Sequence, residues 1–153
     1  MSTKLITASA GQTKKLGQEL AKKILRSPLG RQARILGLVG DLGSGKTTFL
    51  QGFARGLGVK ERILSPTFVI MKRFEIKDYR FKNFYHLDCY RIKNQKGLSG
   101  LGFKNIISNP ENIVAIEWAN LVKLALPKNA VMVRFYFVGK DSRKIIVGTF
   151  KTK

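Results

Sequence analysis

The sequence predicts an α/β fold, one domain over residues 1–153 with a mixed sheet flanked by helices, and three observations carry that prediction. Apolar runs of strand length recur along the chain, some separated by segments of helical periodicity. A glycine-rich loop joins one such run to a helix. The C-terminal region reads as an antiparallel hairpin. With 44% hydrophobic and 10% aromatic residues, the composition is that of a folded chain with a core.

KLITA, residues 4–8, reads as a short strand. Ser9 caps the helix GQTKKLGQELAKKIL that follows. Leu16, Leu20, Ala21, Ile24 and Leu25 form its apolar face, and Lys14, Lys15, Lys22 and Lys23 lie mostly off it. The turn-rich SPLGRQA leads into ARILGLV, a strand over 33–39. Residues 40–45 form a loop, and KTTFLQGFARGLG continues as a helix closed by Gly56 and Gly58. Beyond the Ser65-Pro66 break, residues 68–76 alternate. Phe68, Ile70, Phe74 and Ile76 share a face that Lys72 interrupts, opposite Arg73, Glu75 and Lys77, as in a half-exposed strand. A second strand over 81–88 pairs with it after the KDY turn. Residues 96–108 favour no single assignment. IVAIEW, 113–118, is a buried strand, and AVMVRFYFVG and RKIIVGTF close the sheet as a hairpin across GKDS.

Charge and cysteine content narrow the function classes. Twenty-nine Lys and Arg against nine acids give a net charge of +20, which favours polyanionic partners. The cations are spread along the chain, apart from a gap over 105–120, rather than concentrated in a basic tail or helix. A lone Cys89 excludes an internal disulfide. The N-terminus has no apolar core of signal-peptide length, and no apolar run approaches the roughly 20 residues that cross a bilayer. The expected location is the cytoplasm, with no membrane contact.

Gly40 to Thr47, GDLGSGKT, matches GxxxxGK[ST] at every fixed position, between an apolar strand and a helix. Its glycines let the backbone curl so that successive N–H groups of Asp41, Leu42, Gly43, Ser44, Gly45, Lys46, Thr47 and Thr48 converge on phosphate oxygens. The start of the helix adds its positive end. Lys46 reaches the β and γ phosphates, and the Thr47 hydroxyl is a magnesium ligand. The domain is therefore expected to be of the P-loop NTPase type. A second metal-site group should be an acid closing a buried strand, where a carboxylate is costly unless it faces a cation or donors. Glu117, after four apolar residues, fits. No Asn-Lys-x-Asp or Asp-x-x-Gly motif for guanine nucleotides occurs, which favours ATP.

Three further stretches, SPTF at 65–68, YHLDCYR at 85–91 and IEWAN at 116–120, join the phosphate loop. In that order and spacing the chain resembles the bacterial tRNA threonylcarbamoyladenosine biosynthesis protein TsaE family of small P-loop ATPases, from the helix carrying Thr13, Leu16, Gly17, Leu20 and Ala21 to LPKNA near residue 127. The resemblance implies an ATPase that is weak alone. It works with the partners TsaB and TsaD, which threonylcarbamoylate the adenosine beside the anticodon of tRNAs reading ANN codons, and it does not itself transfer the group. It also implies that Glu117 is the acidic metal-site residue and Thr67 a hydroxyl in a switch-like loop near the γ phosphate. Asp88 is implied as a second functional acid, bound to metal through water or orienting the nucleophile. Trp118 packs beside the nucleotide or the partner surface.

One His and one Cys supply too few ligands for zinc, so His86 is expected to be structural. Many relatives carry acids where this chain has Lys104 and Asn120, so its partner surface differs in charge. Two other readings compete. A small kinase would need a lid, for which only KNQKGLSGLG, 93–102, offers itself, without an arginine. A nucleic-acid module, or an ATPase that also touches tRNA, would use the interleaved basic and aromatic residues of KRFEIKDYRFKNFYHLDCYRIK.

Overall fold

The computed structural model describes residues 2–64, 71–78, 80–92 and 96–148. Its strands are β1 (Ser2–Thr7), β2 (Arg34–Val39), β3 (Met71–Glu75), β4 (Asn83–Asp88), β5 (Asn112–Glu117), β6 (Val131–Phe137) and β7 (Arg143–Gly148). Its helices are α1 (Ala10–Arg26), α2 (Lys46–Gly56), α3 (Lys96–Ser99) and α4 (Phe103–Ser108), with a 3-10 segment over Ala119–Ala125. The strands form one mixed sheet in the order β1-β7-β6-β2-β5-β4-β3. β6, β2, β5 and β4 run parallel at its centre; β3 pairs antiparallel with β4, β7 with β6, and β1 with β7.

The two innermost strands of this parallel centre, β2 and β5, are covered on both faces. RILGLV and NIVAIE are nearly continuous apolar runs, as strands covered on two sides must be. At the edge, β3 buries Phe74 and exposes Lys72, Arg73 and Glu75, charges that discourage pairing with a further strand. Alternation along β2 and β5 divides the core. Leu36, Leu38, Ile113 and Ala115 pack with Ile24 of α1 and Phe49 and Phe53 of α2. Ile35, Val114 and Ile116 pack on the other side with Leu98 of α3, Phe103 of α4 and Val122.

The helices over the first face touch backbone to backbone. A Cβ at Gly52 would lie 1.9 Å from the Lys14 carbonyl oxygen, and one at Gly17 would lie 2.2 Å from that of Phe49. Only glycine permits this approach, which seats α2, and the loop preceding it, firmly on α1. Ser9 caps α1 as expected, accepting from the Gln12 N–H at 3.2 Å.

Some boundaries differ from the sequence reading. β1 begins at Ser2 and β4 at Asn83. Trp118, expected to end a strand, leaves the sheet with φ 59° and ψ 39°. Residues 96–108 hold two short helices joined through Gly102, at φ 72°. The expected strand residues 68–70, Tyr79 of the KDY turn, residues 93–95 of the lid stretch and residues 149 and 150 lie outside the described residues. Among the described residues no helix is long and apolar enough to cross a membrane.

Candidate functional site

Sheet alternation and parallel register set the acids. Phe84, His86 and Asp88 point to one face of β4, and Ile113, Ala115 and Glu117 share that face on β5. Asp88 and Glu117 are register partners at the C-terminal ends of these adjacent parallel strands. In an open α/β sheet that end is where ligands bind, and here it faces the start of α2.

The loop between β2 and α2 turns through Gly43 at φ 77° and Gly45 at φ 108°, conformations that disfavour any side chain. Gly45 is the N-cap of α2 and supplies no side-chain acceptor, so the first-turn N–H groups are left facing the loop's hollow. The Ser44 hydroxyl oxygen is buried there without a hydrogen-bond partner. An unpaired buried hydroxyl beside orphan N–H groups is what an anion-binding cradle presents.

Lys46 is almost fully buried, and its ammonium donates to the carbonyl oxygens of Gly40 and Asp41, the latter at 3.0 Å. Burial lowers its pKa from the usual lysine value, opposed by the carboxylates of Glu117, Asp41 and Asp88. Its Nζ also lies 4.5 Å from the Trp118 ring centroid. Thr47 donates to Glu117 Oε1 at 3.5 Å, while Glu117 Oε2 meets His86 Nε2 at 2.7 Å. Both His86 and Glu117 are buried. Asp88 is half-buried and accepts from the Tyr90 N–H at 3.0 Å. Burial raises its pKa above the ordinary aspartate value, and Glu117's charge raises it further.

Lys46, Thr47, Asp88 and Glu117 open onto a cleft of about 300 Å³. One wall carries Tyr90 and Trp118, whose rings lie 5.0 Å apart. Trp118 is the one non-glycine residue with positive φ among those described, and that strained turn aims its ring at the cleft. Ala10 and Thr13 of α1 also line it, with Asp141 and Arg143. Arg143 ties the β6–β7 hairpin to the phosphate loop, donating to the carbonyl oxygens of Ser142 at 2.9 Å and Gly43 at 3.2 Å. Its guanidinium carbon stands 4.6 Å from the Phe137 ring centroid.

Of the residues singled out in the sequence, Leu42, Gly43, Gly45, Lys46, Thr47, Thr48, Asp88, Glu117 and Trp118 line this cleft. Asp41 and Ser44 do not: Asp41 is exposed and contributes its carbonyl oxygen to the loop, and Ser44 is buried beneath it. Thr67 lies outside the described residues. The sequence reading missed the Glu117 contact of His86. The two-residue spacing from Asp88, which puts His86 on the same strand face, was the available signal. Arg143 carried no local signal, because it reaches Gly43 across 100 residues of chain. The aromatic residues of the interleaved stretch are unavailable for base stacking at three positions, since Phe74, Phe81 and Phe84 are core.

The donor set suits a magnesium ion: a hydroxyl and a carboxylate, both hard oxygens, with room in the cleft for phosphate and water to complete six ligands. Thr47 and Glu117 would hold it.

The chain is similar to known proteins over most of its length. A family profile described as "Threonylcarbamoyl adenosine biosynthesis protein TsaE" matches residues 7–145. A Bacillus subtilis protein named "tRNA threonylcarbamoyladenosine biosynthesis protein TsaE" is 34% identical over 121 residues, covering 79% of this chain and 73% of its own. A Nostoc protein of the same name is 33% identical over 151 residues, covering 97% and 86%. The crystal structure of Bacillus subtilis YdiB superposes with a TM-score of 0.71 at 28% identity, covering 99% of this chain and 87% of that one.

Proposed function

The chain belongs to the TsaE family of threonylcarbamoyl adenosine biosynthesis proteins, and from that premise we propose that it binds and hydrolyses ATP with Mg2+ as the accessory of a TsaB–TsaD partner pair. Members of the family take part in tRNA threonylcarbamoyladenosine biosynthesis. In this reading residues 1–153 are one cytoplasmic ATPase domain, and the threonylcarbamoyl transfer takes place on the partners. The observation that carries it is the convergence of Lys46, the Thr47–Glu117 pair and Asp88 in one cleft below a glycine-turned loop.

The phosphates lie in the loop, against backbone N–H groups from Asp41 to Thr48. Lys46 leaves its carbonyl acceptors for the β and γ phosphates, a stronger charge-assisted contact. A bound Mg2+ supplies charge neutralisation across the phosphates. Asp88 sits on the solvent side of Glu117 and accepts a hydrogen bond from the attacking water. Thr67 belongs to the same proposal as a hydroxyl beside the γ phosphate. Trp118 and Tyr90 form an apolar shelf that excludes bulk water from that end of the cleft. The +20 charge supports tRNA contact through phosphates, and Phe74, Phe81 and Phe84, being buried, take no part in it.

Mixing the purified protein with TsaB, TsaD, ATP, tRNA and an activated threonylcarbamoyl donor tests this. Phosphate release and multiple-turnover modification should rise together, and both should vanish for Lys46→Ala. Modification that continues over many turnovers without this chain would overturn the reading.

A further inference from the structure

We infer that His86 is a positioning residue that fixes the orientation of the Glu117 carboxylate for metal binding; the inference rests on the ATP–magnesium reading above. Glu117 ends β5 and is buried, with two oxygens and three side-chain torsions to be settled. Its Oε2 meets His86 Nε2 at 2.7 Å, a short contact in which the imidazole N–H donates, since a carboxylate only accepts. That contact leaves Oε1 on the side of Thr47, 3.5 Å from the hydroxyl, where a metal ligand is needed.

The pairing is built into the sheet. β4 and β5 are parallel with Asp88 opposite Glu117, so His86 stands diagonally behind the acid on the same face. The imidazole is itself 1% exposed, held in the core beside the strand that carries the acid. It does not line the cleft, so it acts on a bound metal only through Glu117. Remove its N–H and Oε2 loses its donor in a buried setting. The carboxylate then rotates towards Thr47 or Lys46, and the oxygen meant for the metal is shared with a protein donor. Partners that orient metal ligands in this way change metal affinity by about 10- to 100-fold when removed.

A histidine that merely filled the core would affect stability alone. The experiment measures affinity for a non-hydrolysable ATP analogue by calorimetry, in EDTA and in Mg2+, for wild type, His86→Phe, His86→Gln and His86→Asn. Mn2+ binding is followed in parallel by electron paramagnetic resonance. His86→Phe should keep the EDTA affinity within about twofold and lose on the order of tenfold of the gain given by metal. His86→Gln sets an amide N–H where Nε2 stood and should restore most of that gain. His86→Asn, one bond shorter, should not. If the Phe variant does not fold, the Gln and Asn variants decide. A metal gain unchanged in Phe and Asn overturns the inference, as does an equal loss with and without metal. A wild type that gains nothing from Mg2+ overturns the site reading and this inference together, whereas a normal wild type with an unaffected variant overturns this inference alone.

Discussion

The ammonium of Lys46 lies 4.5 Å from the ring centroid of Trp118, the one tryptophan in the chain. In the free protein the cation therefore bridges its own loop carbonyls and an indole face. Phosphate binding draws it away from both. Adding ATP and Mg2+ should change the intrinsic fluorescence, giving a direct titration. Lys46→Ala should weaken ATP binding by about tenfold to a hundredfold, the worth of a hydrogen bond to a charged group. An ATP affinity unchanged in calorimetry would sink the assignment of this loop.

Asp88 carries its charge at a cost to the folded protein. Burial, and then the charge of Glu117, raise its pKa in the folded protein. A carboxyl raised in this way destabilises the fold when ionised, and the penalty disappears as pH falls through the folded pKa. Asp88→Asn should therefore raise the melting temperature of the nucleotide-free protein at pH 7, and the advantage should shrink on acidification to pH 4. The same variant should lose partner-stimulated ATP hydrolysis by about a hundredfold, within the range for general acid–base groups. Thermal melts at both pH values, with phosphate release at pH 7, check the pair. A variant no more stable than wild type at pH 7, or one with full turnover, contradicts it.

Much of the cleft was legible because its signals are local. The phosphate loop lies within eight residues, and Glu117 stands out as an acid closing an apolar run. The contacts that complete the cleft come from strand register and from distant segments. His86 meets Glu117 only because β4 and β5 pair in parallel, 31 residues apart in sequence. The left-handed turn at Trp118 was hidden because an apolar residue extending an apolar run looks like more strand. The helices over 96–108 are too short for periodicity to register, with four and six residues.

Cys89 should be chemically silent in the folded protein. Burial, and then Asp88, push its thiol up to about 12. Roughly one molecule in ten thousand then carries a thiolate at pH 8. A disulfide-exchange reagent such as DTNB should label it slowly in the native state and fast in urea. Rapid labelling of native protein would show that the β4 exit is open.

The α1–α2 contact sets a sharp contrast between two glycines. Gly52→Ala forces a Cβ to within 1.9 Å of the Lys14 carbonyl oxygen, so the helices must part. Overpacking of this kind costs about 1–3 kcal/mol, and the loss should be accompanied by weaker ATP binding, because α2 carries Lys46 and Thr47. Gly58→Ala meets no neighbour within 4 Å and suffers only from its φ of 83°, about 1 kcal/mol. Urea denaturation with an ATP titration separates them. Equal effects of the two on ATP affinity would refute the close-packing account.

The pairing of β1 with β7 has a bearing on synthesis. β1 has one neighbour in the sheet, and that neighbour is the last strand described. On the ribosome, β1 must wait until Arg143–Gly148 has emerged before its hydrogen bonds can form. The wall of the cleft carrying Asp141 and Arg143 arrives at the same moment. A nascent chain that stalls earlier therefore displays the phosphate loop without the guanidinium that braces Gly43, and the nucleotide pocket is among the last features of the molecule to be finished.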